Sequence, residues 1–196
     1  MTSTTQDTTS TTTTITAPDL APITAPDRDE ALAAISTATI GAISARPDAA
    51  AARFSVTGVA SDRVATTLQA RGHTLTVDEP AQFGGDDSAA NPVEYALGAL
   101  IACQVVTYRF WAARLGIRLD DVQITAHGDL DVRGFFGVDD DVRPGFGGVE
   151  LDVRLTGPEP AHRYADLHGA VDRHCPVLDL FANSTPVRSR LVVGGR

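Results

Sequence analysis

DEPAQFGGDDSAANPVEYALGALIAC, residues 78–103, is the stretch on which the fold turns. It leaves a strand at Asp78, passes the Gly84-Gly85 turn and enters a helix at Asn91-Pro92. Asn91 can accept a bond from a backbone N–H of the first turn, and Pro92 suits the first helical position because it has no N–H to satisfy. Glu94, three residues after Asn91, has the spacing of a capping box. Ala96, Leu97, Gly98, Ala99, Leu100, Ile101 and Ala102 follow. Residues this apolar and this small make a buried helix with a close neighbour. Cys103 then places a thiol inside that helix.

Toward the C-terminus the helix continues to about Leu115, carrying Tyr108, Phe110 and Trp111, and Gly116 is its stop signal. Asp121–Asp131 alternates Val122, Ile124 and Ala126, the pattern of a half-buried strand. Val132–Gly148, rich in Gly and Asp, reads as a hairpin loop, and Val149–Leu155 alternates again. A second helix fits Pro160–Arg173. Pro176 opens a short helix through Phe181, and Pro186–Val193 reads as a last strand.

Toward the N-terminus, His73–Asp78, Arg63–Ala70 and Arg53–Ala60 alternate apolar residues across the turns Ser61-Asp62 and Arg71-Gly72. They form a three-stranded antiparallel meander. A helix over Asp29–Ala45 precedes them, ended by Arg46-Pro47, since a residue before proline avoids helical backbone angles. Residues 1–27 are dominated by Thr, Ser, Pro and Asp and bury too little to offset chain entropy, so a disordered tail is expected. The division is a tail at 1–27, a helix and linker at 28–52, and a folded domain at 53–196. Strands come in runs instead of alternating with helices, which predicts an α+β fold with antiparallel sheet.

The net charge of −9 on 196 residues disfavours nucleic acid, whose phosphates need a basic footprint. Every one of the 16 basic residues is arginine. No charged-then-apolar leader opens the chain, and no apolar run is expected to reach the length needed to cross a membrane, which together lead to a cytoplasmic expectation without membrane partners. Only two cysteines occur, too few for a disulfide-stapled secreted scaffold.

Those two thiols are the candidate chemistry. Cys103 lies about three turns into its helix, beyond useful reach of the positive dipole end, so as a reactive thiolate it needs a cation or polar partner from elsewhere. Otherwise it is a small hydrophobe among alanines. Cys175, in His174-Cys175-Pro176, sits at the cap of a helix that Pro176 starts, where the dipole lowers a thiol pKa. A metal held by Cys103, Cys175 and His174 would have poor zinc spacing. The run Asp139-Asp140-Asp141 lacks the spacing of a calcium loop and reads as a solvated turn.

The pattern DEP, Gly-Gly, NPVEYALGALIAC, then Gly116-Ile117, Gly145-Phe146 and Cys175-Pro176-Val177, resembles the OsmC/Ohr family of osmotically inducible and organic hydroperoxide resistance proteins. The resemblance covers roughly Phe54 to Val193. It implies an intertwined homodimer in which antiparallel sheets wrap around long central helices. It also implies a peroxidase that reduces organic hydroperoxides with a cysteine pair. Cys103 would be peroxidatic and Cys175 resolving, with no bound cofactor and an external dithiol reductant of lipoyl type. An arginine from the early strands holds the thiolate in such enzymes. Arg63 is the best positional match, with Arg53 and Arg71 as rivals.

One departure matters. The family's peroxidases place a glutamate directly after Asn-Pro to orient that arginine. Here Val93 stands there and Glu94 follows. At about 100° per residue, the nine steps from Glu94 to Cys103 put the two on opposite helix faces. Glu94 therefore suits the capping box better than the arginine. Broader OsmC-like groups carry the glutamate at this later place, so the resemblance makes Glu94 a catalytic candidate beside Cys103, Cys175 and Arg63. Val93 keeps a second reading open: an OsmC-like dimer without catalysis, acting as a small-ligand binder or redox sensor. Phe110 and Trp111 are candidates either for lining an apolar substrate pocket or for core and interface.

Overall fold

The computed structural model describes residues 25–194. The expected tail lies outside these up to residue 24, while 25–27 already belong to the first helix, α1 (Ala25–Ala45). Pro26 is tolerated in a first helical turn, and Asp27 favours the positive dipole end. The helix stops before Arg46-Pro47 as expected, and a 3-10 turn, Pro47–Ala50, follows.

The meander forms, with shorter strands: β1 (Thr57–Ala60), β2 (Thr66–Ala70) and β3 (His73–Val77). They pair antiparallel in that order, with Gly58 opposite Leu68 and Leu68 opposite Leu75. Residues 53–56 alternate correctly but have no strand opposite them, and Phe54 is 91% exposed. Alternation gives a strand its faces; a partner strand must supply its hydrogen bonds.

The long helix α2 (Pro92–Leu115) begins and ends as its sequence dictates. Glu94 N–H donates to Asn91 Oδ1 at 2.9 Å, and Asn91 N–H donates to Glu94 Oε2 at 2.9 Å, closing the capping box. Gly116 takes the left-handed conformation at φ 61° that ends the helix. α2 is also long and apolar enough by composition to cross a membrane. Here it is the hub of the chain: α1, β4 (Asp121–Asp129), α4 (Ala161–His174) and α5 (Pro176–Ala182) all pack on it.

β4 pairs antiparallel with β5 (Gly148–Thr156), from Asp121 opposite Thr156 to Asp129 opposite Gly148. The connecting loop holds a one-turn helix, α3 (Val132–Phe135), capped by the Asp131 side chain. One face of this two-stranded sheet covers the core. That core comprises Tyr108, Ala112, Ile117, Leu119, Leu167, Val171 and Cys175, with Cys103, Trp111, Val122, Ile124, Val153, Leu155, Tyr164 and Leu178 packed around it. The hydrophobic gain from such residues drives folding.

Two expectations fail within the single chain. The last strand over Pro186–Val193 does not form: no strand of the described chain lies beside it, and Val187 and Leu191 are 88% and 87% exposed. α2 is buried on one face only, through Leu100, Gln104, Thr107, Tyr108 and Ala112. Gly98, Ala99 and Ala102 are exposed, because the described chain offers that small-residue face no close neighbour.

Candidate active site

α2 carries Cys103 and, one turn later, Thr107. The break between α4 and α5 carries Cys175. Its N–H donates to Val171 O at 2.9 Å, closing α4, and its carbonyl accepts from Asp179 N–H at 3.1 Å, opening α5. Pro176 forces this break, since it cannot continue the ladder of α4 yet suits the first position of α5. The break presses Cys175 into the core, where it is 2% exposed. Cys103 is half-buried, and both thiols are free.

Cys103 packs against the core cluster to which Cys175 belongs. Burial pushes the Cys175 thiol above its ordinary pKa, and the neighbouring Cys103 adds to the shift. The Leu178 amide in the first turn of α5 pulls it down, as does the Thr107 hydroxyl. The expectation of a lowered Cys175 pKa is thus overturned. The α5 N-terminus does act, but α5 has seven residues and the thiol pays the desolvation of a nearly dry core.

The other sequence candidates lie elsewhere. Arg63 occupies the β1–β2 turn at φ 43°, and its Nη1 donates to Asp86 Oδ1 at 2.6 Å on the surface. Arg71 is in the β2–β3 turn at φ 54°, where its carbonyl accepts from Gln69 Nε2. Arg53 is in exposed coil. Among the described residues, no arginine is hydrogen-bonded to either cysteine. Glu94 is occupied by the capping box. His174 stacks on Trp111 with ring centroids 4.3 Å apart, and the Arg114 guanidinium lies 4.6 Å from the Trp111 ring centre. Trp111 is thereby part of the core edge.

A cavity of about 410 Å³ lies between α2, β5 and α5, and Cys103, Cys175, Phe110 and Trp111 are not among its lining residues. Its wall includes Leu100, Leu151, Leu178, Phe146 and Phe181, with Arg143 among them. Leu100 precedes Cys103 by three residues and Leu178 follows Cys175 by three, so both sit about one helical turn from a sulfur. Leucine and phenylalanine side chains in such a wall suit a ligand with a hydrocarbon portion.

Sequence reading missed Thr107 and Tyr108. The signal for Thr107 was a hydroxyl four residues after a cysteine in an otherwise apolar helix face. Tyr108 is fully buried, with its hydroxyl hydrogen-bonded to His168 Nδ1 on α4, and burial raises its pKa. His168 Nε2 in turn lies 3.6 Å from Asp172. No spacing in the sequence announces that pairing, because its members are 60 residues apart.

Comparison with known proteins bears on this geometry. Residues 85–190 match the family model for OsmC-like proteins. Comparison with curated proteins gives no match. An OsmC-like protein from Mycoplasma pneumoniae superposes with a TM-score of 0.58 at 17% identity, over 66% of this chain and 87% of its own. An organic hydroperoxide resistance protein OsmC from Legionella pneumophila gives a TM-score of 0.51 at 22% identity, over 66% and 88%. An organic hydroperoxide resistance protein from Elizabethkingia anophelis gives 0.52 at 19% identity, over 66% and 88%. With the helix cap, the hub helix, the paired thiols and more than half of its length matched, this chain belongs to the OsmC-like protein family.

Proposed function

We propose that this protein is a thiol-dependent peroxidase acting on organic hydroperoxides. The observation that carries the reading is the packing of Cys103 against the core cluster that holds Cys175, with a cavity whose wall includes Leu100 and Leu178, each three residues from one of the cysteines. The Cys103 thiolate attacks the terminal peroxide oxygen. The O–O bond breaks, the alkoxide leaves and takes a proton to become an alcohol, and Cys103 is oxidised to the sulfenic acid. The Cys175 thiolate then attacks the Cys103 sulfur. An S–S bond forms, the S–O bond breaks, and hydroxide leaves as water after taking a proton. A dithiol of lipoyl type returns both cysteines to thiols by exchange. No bound cofactor enters the cycle, and a reducing cytoplasm suits it.

The active unit in this reading is a homodimer. The β1–β2–β3 sheet makes only marginal contact with the helices of its own chain, and the tether from Tyr95 Oη to Thr76 O, 2.7 Å, is at its edge. Packed on a partner, that sheet would carry Arg63 to the partner's cysteines. Asp86 would then orient Arg63, the role for which Val93 and Glu94 are unsuited.

Single turnover with tert-butyl hydroperoxide followed by mass spectrometry tests the chemistry. The expected products are a Cys103–Cys175 disulfide in the wild type and a trapped sulfenic acid at Cys103 in Cys175→Ser. Full hydroperoxide consumption by Cys103→Ser would refute it. One observation favours a binding or sensing role instead: Arg63 pairs with Asp86 on the surface, and among the described residues no arginine is hydrogen-bonded to either thiol. Absence of oxidation at both cysteines would select that role.

A further inference from the structure

The cavity between α2, β5 and α5 has an apolar wall with one exception. Leu100, Leu151, Leu178 and Phe181 belong to the three elements, and Phe146 comes from the loop that enters β5. Arg143, from the same loop, is the only lining residue that carries a charge. It is exposed, and among the described residues it has neither an ion-pair nor a hydrogen-bond partner. Its Nη2 lies 3.6 Å from where a Cβ on Gly145 would stand, so the guanidinium itself, and not only its stem, is beside the Gly145-Phe146 backbone. The wall is also held in place by the fold. A Cβ on Gly128 of β4 would stand 2.7 Å from the Phe146 ring, so glycine there is what lets the ring lie against the strand. One residue on, Gly147 N–H donates to Asp129 O at 2.8 Å and ties the loop to the end of β4.

We propose that this cavity is a binding site for an aliphatic carboxylate of medium chain length, with Arg143 taking the carboxylate and the leucine and phenylalanine wall taking the chain. The site goes beyond the peroxidase reading and does not depend on it, since neither cysteine lines the cavity. Charge and shape both select this ligand class. A chain of net charge −9 repels anions at long range, so an anionic ligand needs a local cation. A guanidinium offers two parallel N–H donors that match the two oxygens of a carboxylate. One arginine balances one negative charge, which a carboxylate carries and a phosphate monoester, at about −1.5 to −2, exceeds. The exposed position of Arg143 leaves the head group wet while the hydrocarbon is withdrawn from water. A volume of about 410 Å³ is toward the lower end of small-molecule sites, about 300–1,000 Å³, which suits one unbranched chain better than a larger lipid.

Isothermal titration calorimetry of the full chain with octanoate, decanoate and dodecanoate, each below its micelle concentration, tests the site. One ligand per chain should bind saturably, and each two carbons added should tighten binding about tenfold. Arg143→Gln, an exposed substitution that orphans no partner, should weaken decanoate about tenfold or more. It should leave 1-decanol, which has the chain without the charge, unchanged. Phe181→Ala, which trims the wall, should weaken decanoate and 1-decanol alike. Absence of saturable binding by the wild type overturns the proposal, as does decanoate binding that is undiminished in either variant. Equal loss of decanoate and 1-decanol in Arg143→Gln also overturns it, since the charge would then not be what the arginine supplies. The readout is binding, with both cysteines reduced and no hydroperoxide present, so its failure leaves the peroxidase reading standing.

Discussion

Asp78 shows how a single carboxylate can hold the turn that leads into α2. It is 2% exposed, and its Oδ2 accepts from Asp86 N–H, Ser88 N–H and Ser88 Oγ at 3.1, 3.0 and 2.8 Å. The Ser88 amide first, then the Glu79 amide and the Ser88 hydroxyl, bring its pKa down to about 2. A depressed carboxylate contributes stability above its unfolded pKa and loses it as pH falls through the folded one. Asp78→Asn should therefore be less stable than wild type at pH 7, with the gap closing between pH ~4 and pH ~2 in urea titrations. Gln104 presents the opposite case. Its side chain is fully buried, and among the described residues neither Nε2 nor Oε1 has a hydrogen-bond partner. Gln104→Met keeps the length and removes the orphaned amide, so it should gain about 1 kcal/mol and raise Tm by roughly 2–4 °C in thermal denaturation. Cys175 combines burial with a raised pKa, so at pH 8 the native protein should alkylate there far more slowly than the unfolded chain, as measured by iodoacetamide labelling and peptide mapping.

At the scale of elements, α2 depends on how the chain enters it. Asn91→Ala removes one of the two reciprocal bonds of the capping box and should cost about 1 kcal/mol in denaturant unfolding. The Gly84-Gly85 turn should prove more sensitive. A Cβ on Gly85 would collide with the Glu79 carbonyl and meet Asp78 Oδ1, so Gly85→Ala must break the Asp78 cage or shift backbone. A loss of roughly 3 kcal/mol, the upper end of ordinary single substitutions, is expected by the same measurement. The α4–α5 break is the other element-level device. Pro176 ends one helix and starts the next, and the resulting offset is what aims Cys175 inward at α2.

For the whole molecule, three features await a second surface. The β1–β2–β3 sheet packs on little of its own chain, α2 exposes Gly98, Ala99 and Ala102, and residues 184–194 form neither helix nor strand and leave apolar side chains in solvent. Exposed patches of this kind mark interaction surfaces, and the homodimer proposed above would join all three. Light scattering at micromolar concentration should give twice the chain mass. Deleting residues 184–196 should lower the apparent Tm and shift the population toward monomer, and a deletion variant with undiminished mass and Tm would contradict the dimer.

The sequence by itself determined the elements whose signals are local. The cap and stop of α2, the meander, the β4–β5 hairpin and the Pro176 break are each written in residues a few positions apart, and each formed near its expected place. It also singled out Cys103 and Cys175, because two thiols in a chain of 196 residues leave little to choose among. Tertiary structure decided what depends on neighbours distant along the chain. Strand ends are one case: residues 53–56 and 186–193 alternate correctly, yet pairing needs a partner that alternation cannot supply. The thiol pKa is another, because helix position argued for a lowered value at Cys175 and the desolvation of the folded core reversed it. Thr107 and the cavity wall belong with these, since their meaning comes from what folding sets beside them. Local backbone chemistry can be read along the chain, but burial and electrostatics are properties of the space the chain encloses.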